Sequence, residues 1–129
     1  MKKLLALAAV GAAFALAACG GGANKLQEAY DWVVANHADA AECFEFAADG
    51  SFVGVDTNPT DRDDYSVPSS FDAVEQFNAQ LGLPDYIWEE MLHTSSNDGR
   101  QTQTANGITV SWKYHPDNGL EATYRLAEE

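Results

Sequence analysis

The chain has 129 residues and 20 acidic against 7 basic side chains, for a formal net charge of −13. That length suits one compact domain with a single core. So acidic a surface argues against nucleic acid or an anionic lipid surface as partner of the folded part. Divalent cations, basic partners or a merely solvated surface stay open.

The first elements lie at the amino terminus. Lys2 and Lys3 form a short basic region, and Leu4 to Ala15 an apolar run broken only by Gly11. The run is too short and too alanine-rich for a membrane span and has the proportions of a secretory signal. Leu16-Ala17-Ala18-Cys19 closes it, and Gly20-Gly21-Gly22-Ala23 follows as a flexible tether. The simplest alternative is an ordinary signal cleaved after Ala17.

The Leu16–Cys19 tetrapeptide resembles the lipobox of bacterial lipoproteins. That resemblance implies cleavage before Cys19 and acylation of its sulfur. It divides the chain into a signal (1–18), a lipidated cysteine and tether (19–23) and one domain (24–129). It also implies an exported protein held on the bilayer through Cys19, facing the extracytoplasmic side. Loss of Lys2 and Lys3 with the signal takes the formal charge from −13 to −15. With Cys19 acylated, Cys43 is an odd thiol, and Ala41, Phe44 and Phe46 beside it predict burial.

Asn24, with Gln27 three residues on, predicts a capped helix from about Lys25 to Ala38. Ala40 to Ala48 fits both helix and strand. Asp49-Gly50, followed by Phe52, Val53 and Val55, favours an additional hairpin there. Asp56 to Pro68 reads as a polar loop. Ser69 or Ser70 predicts the cap of a second helix presenting Phe71, Val74, Phe77 and Leu81, stopped by Gly82. Pro84 opens a third, with Ile87, Trp88, Met91 and Leu92 as its stripe. Thr94 to Arg100 is a loop.

Asn106-Gly107 predicts a two-residue hairpin turn. Ile108, Val110, Trp112 and Tyr114 alternate with polar residues, as do Leu120, Ala122, Tyr124 and Leu126 after the His115–Gly119 turn. The expected fold is therefore α+β, with helices on one face of a C-terminal three-stranded antiparallel sheet. Two-residue closure sets Gln103 opposite Val110 and Gln101 opposite Trp112, as polar guards of an edge strand.

Ser70-Phe71-Asp72-Ala73-Val74, Leu81-Gly82-Leu83-Pro84 and Ser111-Trp112-Lys113-Tyr114 resemble the small envelope domains of BamE-like and beta-lactamase-inhibitor-protein-like lipoproteins. The resemblance covers less than half of the chain and implies two helices on a three-stranded sheet, with a protein-binding or scaffolding role. Ala23 to Pro68 has no counterpart there. Trp112 to Leu120 is also similar to the ends of other small bacterial lipoproteins, which implies no activity.

Candidate sites are few. His37 and Cys43 lack an orienting third group, and His37, His93 and His115 lack short ligand spacing. Asp56, Asp61, Asp63 and Asp64 supply hard oxygen ligands in one loop but miss the EF-hand pattern, so they are weak calcium candidates. Trp32 lies beside the apolar stripe of its helix and is the candidate contact residue, together with the edge-strand residues Gln101 and Gln103. The expectation is a non-enzymatic interaction module with an envelope protein partner and no cofactor. A ligand- or cation-binding accessory is the alternative, and a small hydrolase ranks last.

Overall fold

A computed structural model describes residues 20–59 and 67–127. In chain order the elements are α1 (Gly20–Asn36), a 3-10 segment (Ala38–Cys43), β1 (Phe44–Phe46), β2 (Phe52–Asp56), α2 (Ser70–Gln80), α3 (Asp85–His93), a 3-10 turn (Ser96–Asp98), β3 (Gln101–Ala105), β4 (Ile108–His115) and β5 (Gly119–Leu126). The five strands make one antiparallel sheet in the order β1-β2-β5-β4-β3.

The broad α+β class agrees with the sequence, but the three-stranded sheet is corrected to five strands. The N-terminal hairpin is not a separate addition. Its second strand pairs along β5 from Phe52 opposite Arg125 to Asp56 opposite Glu121. The cause is burial: Val53 and Val55 point to the same side as Ala122 and Tyr124 and are sealed under the same helices. A lone two-stranded hairpin is marginal in water, so an apolar face of this kind completes itself on an available strand. The sheet implied by the envelope-domain resemblance is corrected on the same ground.

One side of the sheet carries the core. Val53, Val55, Ile108, Val110, Trp112, Leu120, Ala122 and Tyr124 meet Leu26, Ala29 and Val33 of α1, Ala73, Val74 and Phe77 of α2, and Ile87, Trp88 and Met91 of α3. Phe77 lies edge-on to Tyr124, with ring centroids 4.8 Å apart. The helix stripes differ from expectation at two positions. Phe71 is 37% and Leu92 46% exposed, and Ala73 takes the inward place on α2.

Helix α1 begins at Gly20, upstream of the expected Lys25, and so runs through the residues read as a tether. Glycine is a poor helix former, so these turns lean on the amphipathic part that follows. Gln27 makes no capping box; its Nε2 donates to Asp31 Oδ1 at 3.1 Å. Between β1 and β2, Gly50 takes φ 77°, and Asp49 Oδ1 accepts from the Ser51 amide and hydroxyl. Those bonds hold the Asp49 carboxyl below the usual carboxylate range.

The Asp56–Pro68 loop starts buried rather than solvated. Thr57 and Asn58 are sealed from solvent. The Thr57 hydroxyl both donates to the Leu120 carbonyl and accepts from the Leu120 amide, and Asn58 Nδ2 donates to the Asp117 carbonyl. These bonds dock the chain leaving β2 onto the start of β5.

Candidate functional site

The second face of the sheet is polar, and its rows follow from the strand register. Gln101 opposes Trp112, Lys113 opposes Glu121, and Asp56 opposes Glu121, so Arg100, Lys113, Glu121 and Asp56 form one row across the sheet. The next row is Thr102, Ser111, Thr123 and Gly54, and the third is Thr104, Thr109, Arg125 and Phe52. Arg100 donates to the Ser111 hydroxyl at 2.9 Å, and the Thr104 and Thr109 hydroxyls bond at 2.9 Å.

A concavity of about 360 Å³ opens at the acidic end of this face. Gly54 forms part of it, and Glu42, Glu45, Asp56, Glu121 and Arg100 line it. Cys43 lies at its wall, 3% exposed. Burial above all, then Glu42 and Asp56, pushes the Cys43 thiol up to about 12, so it stays protonated near neutrality. A thiol of that kind is a poor nucleophile and a poor metal ligand.

The opposite end of the face terminates in β3, the last strand of the sheet. Asn106 and Gly107 have φ 52° and 80°, the two positive values that a two-residue type I′ closure demands. Its closing pair, Ala105 with Ile108, exchanges backbone bonds, and alternation gives the same to Gln103 with Val110 and Gln101 with Trp112. The N–H and C=O groups of Thr102 and Thr104 therefore point away from β4, toward the open side. β3 has no charged residue, no proline and no bulge among its five pairs. Such devices normally guard an edge. The other edge, β1, is only three residues long and carries Glu45 at its centre.

Gln101 and Gln103 take the predicted register, but their amides are used inside the molecule. Gln103 Nε2 donates to Glu90 Oε1 on α3 at 3.0 Å, and Gln101 Nε2 donates to the Asp98 carbonyl at 2.8 Å. They brace β3 against α3 and the 3-10 turn after it. Trp32 is half-buried on α1, packed on the core, with its ring 5.7 Å from that of His37.

Cys19, Asp61, Asp63 and Asp64 lie outside the described residues. Asp56 is at the end of β2, where its Oδ1 accepts from the Asn58 amide at 2.9 Å. Among the described residues no group of three metal-ligating side chains occurs. The histidines are kept apart: His37 Nδ1 lies 3.9 Å from Asp72, His93 Nδ1 is 2.8 Å from the Glu89 carbonyl, and His115 accepts from the Asp117 amide. No helix among the described residues is long and apolar enough to cross a membrane.

The open groups of Thr102 and Thr104, and Arg100 beside them, were not singled out from the sequence. The signal was present, since the Asn106-Gly107 turn fixes which residues of β3 bond outward. Comparison with protein-family models, curated proteins and solved structures finds no match.

Proposed function

We propose that this chain is a lipid-anchored extracytoplasmic protein whose folded part is a non-catalytic interaction module for another envelope component. The observation that carries the interaction is the edge of β3, unpaired among the described residues, which offers the backbone groups of two alternate threonines, Thr102 and Thr104, on a braced strand. Strand addition uses such an edge, with main-chain bonds giving affinity and flanking side chains selecting the partner. The Leu16–Cys19 sequence supports the anchor.

Chemical crosslinking in intact producing cells, then capture of the chain from the membrane fraction and mass spectrometry, tests the reading. The expected result is one stoichiometric envelope protein that is lost with Thr104→Pro, and incorporation of labelled palmitate that is lost with Cys19→Ser. A blank capture with the protein folded and anchored contradicts the interaction.

The acidic concavity around Asp56 favours a second reading, an accessory that binds a small organic cation there. A melting temperature raised by a millimolar diamine and not by the same concentration of sodium chloride supports it. An unchanged melting temperature rejects it.

A further inference from the structure

Helix α1 and the β3–β4 hairpin meet at one end of the molecule. Lys25 Nζ donates to the Asn106 carbonyl at 2.6 Å. Side chains on a helix lean toward its N-terminus, so the hairpin tip lies on the Gly20 side of Lys25. At the other end of α1, His37 is 3.9 Å from Asp72 in the first turn of α2. Helix α2 then runs back toward the tip, since the Leu81 carbonyl at its end accepts from Asn106. The first turns of α1 therefore project from the sheet at the hairpin-tip end.

Those turns limit how far the domain can stand from an anchor. From Lys25 back to Gly20 the helix rises about 7.5 Å, at about 1.5 Å per residue. Cys19 is the next residue in sequence, one peptide or about 3.8 Å further on. The headgroup layer of a bilayer is itself about 5–8 Å thick. A sulfur joined to glycerol at the base of that layer leaves the hairpin tip only a few ångströms of clearance. Five extended residues would instead span about 17 Å and let the domain swivel. Lying on its helical side would press Glu28, Asp31, Asp72, Glu75, Glu89 and Glu90, all exposed, against lipid phosphates.

Resting on the anchor reading above, we infer that the β3–β4 hairpin tip is the bilayer-facing end of the domain and lies against the phospholipid headgroups, with α1 as a rigid stand in place of a tether. Length sets this contact, not charge. Lys25 and Arg125 lie near this end, but so does Glu28, and Glu128 and Glu129 follow Ala127 in sequence. The His115–Gly119 turn stands about 24 Å further out, at about 3.4 Å per residue along β4.

The test uses the mature full chain, purified with its anchor and placed in phosphatidylcholine vesicles that carry a nitroxide on the headgroup. Bimane is attached at Ala127→Cys, beside Gly107, or at Asn118→Cys in the far turn. Buried Cys43 stays unlabelled. Emission from position 127 should be lost and emission from position 118 kept, equally with and without phosphatidylglycerol. A Gly-Ser linker of about ten residues between Cys19 and Gly20 should restore emission at position 127. Similar quenching at both positions or stronger quenching at 118 overturns the inference while the chain stays anchored. So does a contrast that needs phosphatidylglycerol, or one that the linker leaves untouched. Failure of the chain to float with the vesicles overturns the anchor reading and the inference together.

Discussion

Tyr124 carries a polar atom from the middle of the sheet into the helical layer. Its hydroxyl donates to Asn78 Oδ1 at 2.6 Å, and Asn78 Nδ2 in turn lies 3.6 Å from Met91 Sδ. Both residues are sealed from solvent, so the pair matters more for satisfying two buried groups than for its gross bond energy. Tyr124→Phe leaves the Asn78 oxygen without a donor and should cost about 1–3 kcal/mol. Thermal melting should show this as a drop of several degrees. Adding Asn78→Leu should cost less than the sum of the two single changes, because the stranded acceptor is gone.

The Cys43 thiol gives a pH signature with a definite sign. Its folded value is raised from an ordinary 9.0 to about 12, so its contribution to stability is complete below pH 9 and is lost as pH rises toward 12. Burial pushes the Tyr124 hydroxyl upward too, which adds loss in the same alkaline direction. Denaturant midpoints should fall across that window, and Cys43→Ala should make the fall shallower. Native Cys43 should resist alkylation at neutral pH and react only after unfolding.

Among elements, the β3–β4 hairpin shows what a sequence discloses. Asn106-Gly107 dictates positive φ at two positions, and that turn alone sets every pair from Ala105–Ile108 to Gln101–Trp112. The side-chain parity of β3 was equally legible, with both glutamines turned inward. Their amide partners were not, because Glu90 and the Asp98 carbonyl arrive from α3 and the 3-10 turn after it. The β1–β2 hairpin was visible locally, but its docking on β5 is a long-range pairing that no local pattern encodes. The buried start of the Asp56–Pro68 loop was hidden for the same reason: Thr57 and Asn58 bond to residues about sixty positions away.

The hairpin tip is also tied to the helices. Asn106 Nδ2 donates to the Leu81 carbonyl at 2.8 Å, at the end of α2. Gly82 follows with φ 73°, and a Cβ there would collide with the Asn106 amide group. Gly82→Ala combines left-handed strain with loss of this tie and should cost about 1–3 kcal/mol. Asn106→Ala should cost less, and the two together should fall short of additivity, as read from urea midpoints.

For the whole molecule, the two edges of the sheet differ, while the described cations are spread from the β3–β4 hairpin tip to Arg125 on the central strand β5. One edge is short and carries Glu45; the other is longer, uncharged and braced from behind by Gln101 and Gln103. Thr104→Pro removes an amide that bonds no neighbouring strand, so it should change stability by only about 1 kcal/mol while abolishing partner capture. That separation of folding from binding distinguishes a docking edge from a structural one.

The most direct measurement is residue-resolved amide hydrogen exchange along β3, in the free protein and with the captured partner added. In the free protein, fast exchange is expected at Thr102 and Thr104 beside slow exchange at Gln103 and Ala105, with the two threonine amides becoming protected once the partner is bound. Slow exchange at Thr102 and Thr104 in the free protein, or no added protection on binding, would contradict it.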